Sequence, residues 1–206
     1  MGQRSRHLGQ SGLLGLGLCI ALAACVLPGA GGKALSRQKV LGGAVTMVAP
    51  QGYCVEPASL LERDDTALVL MGRCSGESVR SPAVLTAIVG TSGSGAGIDL
   101  AHGGPELARY FRSSAGRQAL SRRGKAADVT VHQVLGIPEA FLLHLTDRGP
   151  GRQAPTQPDS WRAVLPLAGR LVTLTVTGPA ESPMSPEQGR ALIESFVAAT
   201  VEAQAG

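Results

Sequence analysis

The segment WRAVLPLAGRLVTLTVT, residues 161–177, predicts two strands joined by a compact turn at 168–170. In the second strand Val172, Leu174 and Val176 alternate with threonines. A period of two is typical of a strand that buries one face, and so short a turn makes the two strands antiparallel neighbours. An antiparallel hairpin near the C-terminus is therefore the starting point for the fold.

A helix is predicted directly after this hairpin. Ser185 is expected to be its N-cap, Pro186 lies in its first turn and Gln188 stands at the capping-box position. A stripe at helical spacing follows, made by Leu192, Ile193, Phe196, Val197, Thr200 and Val201. This stripe predicts that the helix packs across a sheet.

Further strands are predicted upstream by apolar runs at 44–50, 53–55, 66–74, 82–90, 128–135 and 140–147. One helix interrupts them, over Pro105–Arg122, and a proline-rich stretch at 148–160 predicts a long exposed loop. Several neighbouring strands are joined by short turns. The order therefore predicts an α+β fold with a largely antiparallel sheet packed by two main helices.

From residue 42 to 203 this order of elements is similar to the PsbP-like fold, an α/β/α sandwich. The resemblance rests on the element order and on the closing strand–strand–helix unit at 161–203, and on no diagnostic motif. It implies a non-catalytic accessory or binding protein. A fold alone does not define a function, so the function has to be argued from a site.

The N-terminus has the pattern of a secretory signal peptide. Residues 1–7 are polar and basic, and residues 13–24 are apolar apart from two glycines. This run is shorter than the roughly 20 residues that a membrane-spanning helix needs. Residues 1–24 are therefore expected to be removed on export.

The end of this run and the cysteine after it, LAAC at 22–25, resemble the lipobox of bacterial lipoproteins. The resemblance implies that Cys25 carries palmitate-type acyl chains and is the first residue of a mature protein anchored in the cell envelope, facing the periplasm. The alternative is ordinary cleavage after Ala23, which would leave a soluble periplasmic binding protein or enzyme. Val26 follows the cysteine, so the aspartate that retains enterobacterial lipoproteins in the inner membrane is absent, and the choice of membrane stays open. In the lipoprotein interpretation, residues 25–41 are the lipidated cysteine and a flexible tether, and residues 42–206 are one globular domain.

Cys54 and Cys74 are the cysteines that remain after the predicted signal peptide and Cys25. Two cysteines in a short segment of an exported protein usually form a disulfide. Their spacing is far longer than the C-x-x-C of redox-active pairs, which favours a structural crosslink.

The helix predicted over Pro105–Arg122, with the residues just after it, has a basic face formed by Arg109, Arg112, Arg117, Arg122, Arg123 and Lys125. On a domain held near a bilayer, such a face is a candidate contact for anionic lipid or another anionic surface. The competing interpretation is a solvated helix face. The overall charge does not decide between them. The formal net charge of +4 includes Arg4 and Arg6 from the signal peptide.

No sequence motif of a catalytic, metal or cofactor site is present. His102, His132 and His144 stand singly in the sequence, and the glycine-rich stretch 90–97 lacks the lysine of a phosphate-binding loop. Aromatic residues make up 3% of the chain, which disfavours binding of single-stranded nucleic acid by base stacking. The sequence therefore predicts a non-enzymatic cell-envelope lipoprotein without cofactor or metal, a tethered binding or accessory domain whose partner is an envelope protein or anionic lipid.

Overall fold

A computed structural model describes residues 35–100 and 102–204 of the chain. Ten strands are present in this part: β1 (Arg37–Val40), β2 (Val45–Val48), β3 (Tyr53–Val55), β4 (Leu61–Arg63), β5 (Thr66–Arg73), β6 (Val84–Ser92), β7 (Val129–Ile137), β8 (Ala140–Asp147), β9 (Asp159–Leu167) and β10 (Arg170–Thr177). Three α-helices accompany them: α1 (Gly104–Arg112), α2 (Ser114–Leu120) and α3 (Pro186–Glu202). The predicted α+β class with a largely antiparallel sheet is confirmed.

Strands β3 to β10 form one eight-stranded sheet in which every pairing is antiparallel. Its strand order is β3-β5-β6-β10-β9-β8-β7, and β4 also pairs with β5. The chain therefore builds one half of the sheet as far as β6 and crosses to the far edge at β7. It then returns through β8 and β9, until β10 pairs with β6 in the middle.

One face of the sheet, called here the inner face, is covered by α3 and by the β1–β2 hairpin. Leu85, Leu165, Leu174 and Phe196 of this layer are fully buried. The predicted cap of α3 is confirmed, because the Ser185 hydroxyl accepts from the Gln188 backbone N–H and the Gln188 side chain accepts from the Ser185 N–H.

The single helix predicted over Pro105–Arg122 is two helices, α1 and α2. Ser113 lies between them in an extended conformation, and its hydroxyl caps α2 by accepting from the Gly116 N–H. A Cβ at position 116 would collide with the Tyr110 carbonyl, so only glycine allows the chain to fold back this closely. The helical spacing continues through the break, and this is why the pattern predicted one helix.

The predicted tether over residues 25–41 extends too far. Residues 37–40 form β1, which pairs with β2, and Val40 is buried in the core. The predicted signal peptide, residues 1–24, and the predicted lipidation site Cys25 lie outside the described residues. Within the described ranges, no helix is long and apolar enough to cross a membrane.

Cys54 and Cys74 form the predicted disulfide, with their Cα atoms 5.0 Å apart. Cys54 lies in β3 and Cys74 follows β5, so the bond clamps the short edge strand β3 to its neighbour. The disulfide closes a segment of about 20 residues that also contains β4.

Replacing both Cys54 and Cys74 by serine should lower the free energy of unfolding by roughly 3 kcal/mol, because the open chain gains conformational freedom when unfolded. Urea denaturation of the protein before and after reduction measures this difference. The double variant is the control, because reduction should not change its urea midpoint. Equal midpoints for the oxidised and reduced protein would show that the clamp adds no stability.

Candidate binding surface

The outer face of the sheet, opposite α3, is covered by helices over only one half. Helices α1 and α2 pack there against β7 and β8, in a cluster formed by Phe111, Leu120, Val129, Leu143 and Leu145. The other half, formed by β4, β5, β6 and β10 with part of β9, has no helix over it in the described structure. We call this half the open face.

The strand register places an apolar row across the open face. Leu61 of β4 lies beside Leu68 of β5, Leu68 beside Ile88 of β6, and Ile88 beside Thr173 of β10. Leu61 and Ile88 are 49% and 46% exposed, which is unusual for large apolar side chains in a sheet. Aligned exposed apolar residues of this kind mark interaction sites more often than single ones do.

A second row runs parallel to the first and ends in an arginine. Leu70, Thr86 and Thr175 lie side by side on β5, β6 and β10, and Arg162 of β9 follows next to Thr175. Beyond Arg162 lies Leu143, which is under the helices. Arg162 therefore stands at the border between the covered half and the open face.

Arg162 is a largely buried cation with incomplete hydrogen bonding. Its Nε is buried and has no hydrogen-bond partner among the described residues. Burial lowers the pKa of Arg162 to about 10, although the nearby charge of Asp147 acts in the opposite direction. The guanidinium is thus still charged at neutral pH. An unpartnered buried donor is costly, so its presence at this position calls for an explanation.

The Asp147 carboxylate is fully engaged elsewhere. Its Oδ2 accepts from the Arg122 N–H at 2.8 Å and from the Arg122 Nε at 3.3 Å, and its Oδ1 accepts from the Gly149 N–H at 2.9 Å. Burial acts to raise the pKa of Asp147, but these hydrogen bonds and the Arg122 charge outweigh it and hold the pKa below its usual value. Asp147 therefore ties the end of α2 to β8 and does not hydrogen-bond to Arg162.

The structure separates the six predicted basic residues by their contacts. Arg117 donates to the carbonyls of Arg112 and Ala126, Arg122 binds Asp147, and Arg123 donates to the Gly149 carbonyl. These three arginines hold the local fold. Arg109, Arg112 and Lys125 are exposed, and Arg112 and Arg117 line one cleft beside β7. Contact of this face with an anionic surface stays a prediction.

Two histidines that stand far apart in the sequence meet on the inner face of the sheet. The rings of His132 and His144 are 4.9 Å apart, and His144 Nε2 lies 2.9 Å from Asp159 Oδ1 while its ring stacks on Trp161. They are strand-face residues, as expected, but their proximity arises from the β7–β8 pairing. Across the described ranges, no three His, Cys, Asp or Glu side chains are grouped to hold a metal ion.

Sequence reasoning did not identify Arg162 or the open face. Alternation along 161–167 does predict that Arg162 points away from the core. It cannot show that the helices leave part of this outward side uncovered, nor that Arg162 lies at their border. The alternating threonines at 173, 175 and 177 are the one sequence signal for a partly exposed second face.

Comparison with known proteins gives a likeness of fold. No protein-family model matches the sequence, and none of the curated proteins is similar to it. Among solved structures, the chain is similar to the Ran-binding protein Mog1p of Saccharomyces cerevisiae, with 12% identity, a TM-score of 0.45 and coverage of 82% of this chain and 92% of that chain. It is also similar to a point mutant of Mog1, with 12% identity, a TM-score of 0.42 and coverage of 82% and 93%. At this identity and these TM-scores, neither likeness says what this chain binds or does.

Replacing Asp147 by asparagine should lower the free energy of unfolding by roughly 1–3 kcal/mol at pH 7, because Arg122 loses its buried anionic partner. The folded-state pKa of Asp147 is depressed, so its contribution is present above the unfolded pKa of about 4 and is lost as pH falls through the folded value. The gap in stability between wild type and variant should therefore narrow as the pH falls below about 4. Urea denaturation at several pH values measures it, with Glu139→Gln in an exposed turn as the control. A gap that stays constant with pH would contradict the assignment.

Proposed function

We propose that this protein is an exported, membrane-tethered binding domain without catalytic activity, and that its open face holds a protein partner in the cell envelope. The observation that carries the proposal is the uncovered row of Leu61, Leu68 and Ile88 beside a buried arginine that lacks a full set of hydrogen bonds. The predicted signal peptide and the LAAC stretch that resembles a lipobox support the envelope location in this proposal.

The shape and chemistry of the open face fit a protein better than a small molecule. Five strands at a spacing of about 4.8 Å give a surface roughly 20 Å wide. Apolar rows within a polar rim are what protein interfaces present, and buried arginines are among their strongest contact residues. The occupant that we infer is a segment with apolar side chains for Ile88 and Leu68 and one carboxylate for Arg162.

A carboxylate is the partner group that best fits the guanidinium of Arg162 in charge and shape. The guanidinium presents five N–H donors in a plane, and a carboxylate can accept two of them side by side. Because the group is already desolvated in the free protein, little further desolvation of the arginine is needed on binding. The desolvation cost of Arg162 is therefore present before the partner arrives.

Photo-crosslinking in living cells tests the location of the partner. A benzoylphenylalanine at position 88 should give one discrete crosslinked protein, because the side chain lies in the apolar row. The matched control is position 79, which is 89% exposed but lies in a cleft beside α3, on the other face of the sheet. Equal yields from positions 88 and 79 would contradict the proposed surface.

The role of Arg162 is tested by replacing it with methionine, an unbranched apolar side chain. Arg162→Met should abolish the crosslink from position 88 and leave the melting temperature unchanged or higher, because it removes a desolvated charge with an unmet donor. Arg162→Lys should keep part of the crosslink yield. A large loss of stability in Arg162→Met, with the crosslink retained, would show that the arginine has a structural role only.

The anchor is tested separately. Cys25→Ala should move the protein from the membrane fraction to the fraction released by osmotic shock, because a chain without acyl groups has only a weak affinity for the bilayer. Intact mass of the native protein should show a start at Cys25 with acyl chains attached. A start at Ala24 without acylation, together with unchanged fractionation of Cys25→Ala, would instead support the alternative of a soluble periplasmic binding protein or enzyme.

A further inference from the structure

Strand β7 forms one edge of the eight-stranded sheet, since β8 is its only strand neighbour in the described structure. An edge strand presents backbone N–H and C=O groups that another extended chain can pair with. Proteins usually protect such an edge with a bulge, a charge or a covering segment. The β7 edge has a bulge between Val131 and Gln133, which leaves the part before it regular.

The register shows which backbone groups in the part of β7 before the bulge point away from β8. The Arg148 N–H donates to the Asp128 carbonyl, so the pair 128–148 is hydrogen-bonded and the next such pair is 130–146. Val129 and Val131 therefore direct their backbone groups away from β8. The Val129 N–H already donates to the Ala126 carbonyl. The Val129 carbonyl and both groups of Val131 remain for an incoming strand.

A cleft of about 420 Å³ lies beside this part of β7. It is lined by Arg112, Arg117, Ala126, Ala127, Val129, Thr130 and Val131, and no carboxylate is among the lining residues. Arg117 is held in place by its hydrogen bonds to the Arg112 and Ala126 carbonyls. Arg112 is exposed at the end of α1, so its guanidinium is accessible to a bound ligand.

We propose that this cleft binds an extended acidic peptide segment, which adds to the edge of β7 at Val129–Val131 and directs its acidic side chains towards Arg112 and Arg117. Alternate residues of an added strand point to the same side, so a segment with an acid at every second position fits the two cations. The open edge favours a peptide over a lipid headgroup, because a headgroup has no ladder of backbone groups to pair with Val131. This site is separate from the open face.

The probe is a nine-residue fluorescent peptide of alternating glutamate and threonine, titrated with the full chain in detergent at 0.15 M salt and followed by fluorescence anisotropy. Arg112→Gln should weaken binding about tenfold, the size expected for loss of one charge-assisted contact. The matched control is Arg109→Gln, which removes the same charge from the same helix outside the cleft and should change the affinity less than twofold. Ile88→Ser should also leave it unchanged, which separates this site from the open face.

Backbone pairing with β7 predicts a second result that charge attraction alone does not predict. Two versions of the peptide, N-methylated at the odd or at the even positions, block opposite edges of the added strand. One version should lose binding and the other should keep it, because only one edge pairs with β7. Equal affinity of both versions, or an Arg112→Gln variant that binds as well as wild type, overturns the proposal.

Anionic lipid is the competing ligand. Soluble short-chain phosphatidylglycerol that binds in an Arg112-dependent manner, while the peptide does not bind, would assign the cleft to lipid headgroups and overturn the peptide proposal. Peptide binding that survives an excess of this lipid supports it.

Discussion

Burial of the inner sheet face beneath α3 and the β1–β2 hairpin is the interaction on which the rest of the structure depends. A 17-residue helix is about 25 Å long, which is shorter than the roughly 30 Å width of seven paired strands. The hairpin therefore completes the cover, with Val45 and Met47 fully buried. Trp161 of β9 fastens the sheet to α3, because its Nε1 donates to the Pro186 carbonyl at the start of the helix. Its ring lies against Gly189, where an added Cβ would come within 2.7 Å of the Trp161 Cδ1 atom.

Once the inner face is closed, the strand order determines how much of the outer face can be covered. The chain leaves β6 in the middle of the sheet and must reach β7 at the far edge. Its crossover begins beside the β9–β10 turn, where the Gly93 and Gly95 N–H groups donate to the Gly169 carbonyl. Helices α1 and α2 lie at the end of this crossover, over β7 and β8, because the helices there can bury Phe111 and Leu120 against Leu143 and Leu145. The strands on the other side of β10 receive no helix. The open face and the position of the largely buried Arg162 at its border are thus consequences of topology.

Local patterns predicted the hairpin at 161–177, the cap of α3 and the Cys54–Cys74 disulfide because each depends on residues close together in the chain. Features that depend on the register were not predictable in this way. Arg170, placed in a turn by the sequence, is buried and pairs with Asp65 at 2.6 Å across the sheet, and these two residues are 105 positions apart. The contact between the His132 and His144 rings, and the position of Arg162 at the border of the open face, likewise depend on the strand register. The candidate site was therefore less predictable than the fold, because its residues come from strands that meet only in the complete sheet.

The two edges of the sheet differ in a way that bears on binding. On the β3 side, the Val55 N–H donates to the Leu35 carbonyl, so the segment before β1 protects that edge, and the disulfide holds it closed. On the β7 side, the bulge after Val131 twists the later part of the strand away from regular pairing. Only the first part of β7 is left open, and this is where Arg112 and Arg117 stand. An edge that is open only beside two cations can accept an acidic strand while it disfavours pairing with a second copy of itself, since the same cations of two copies would repel each other.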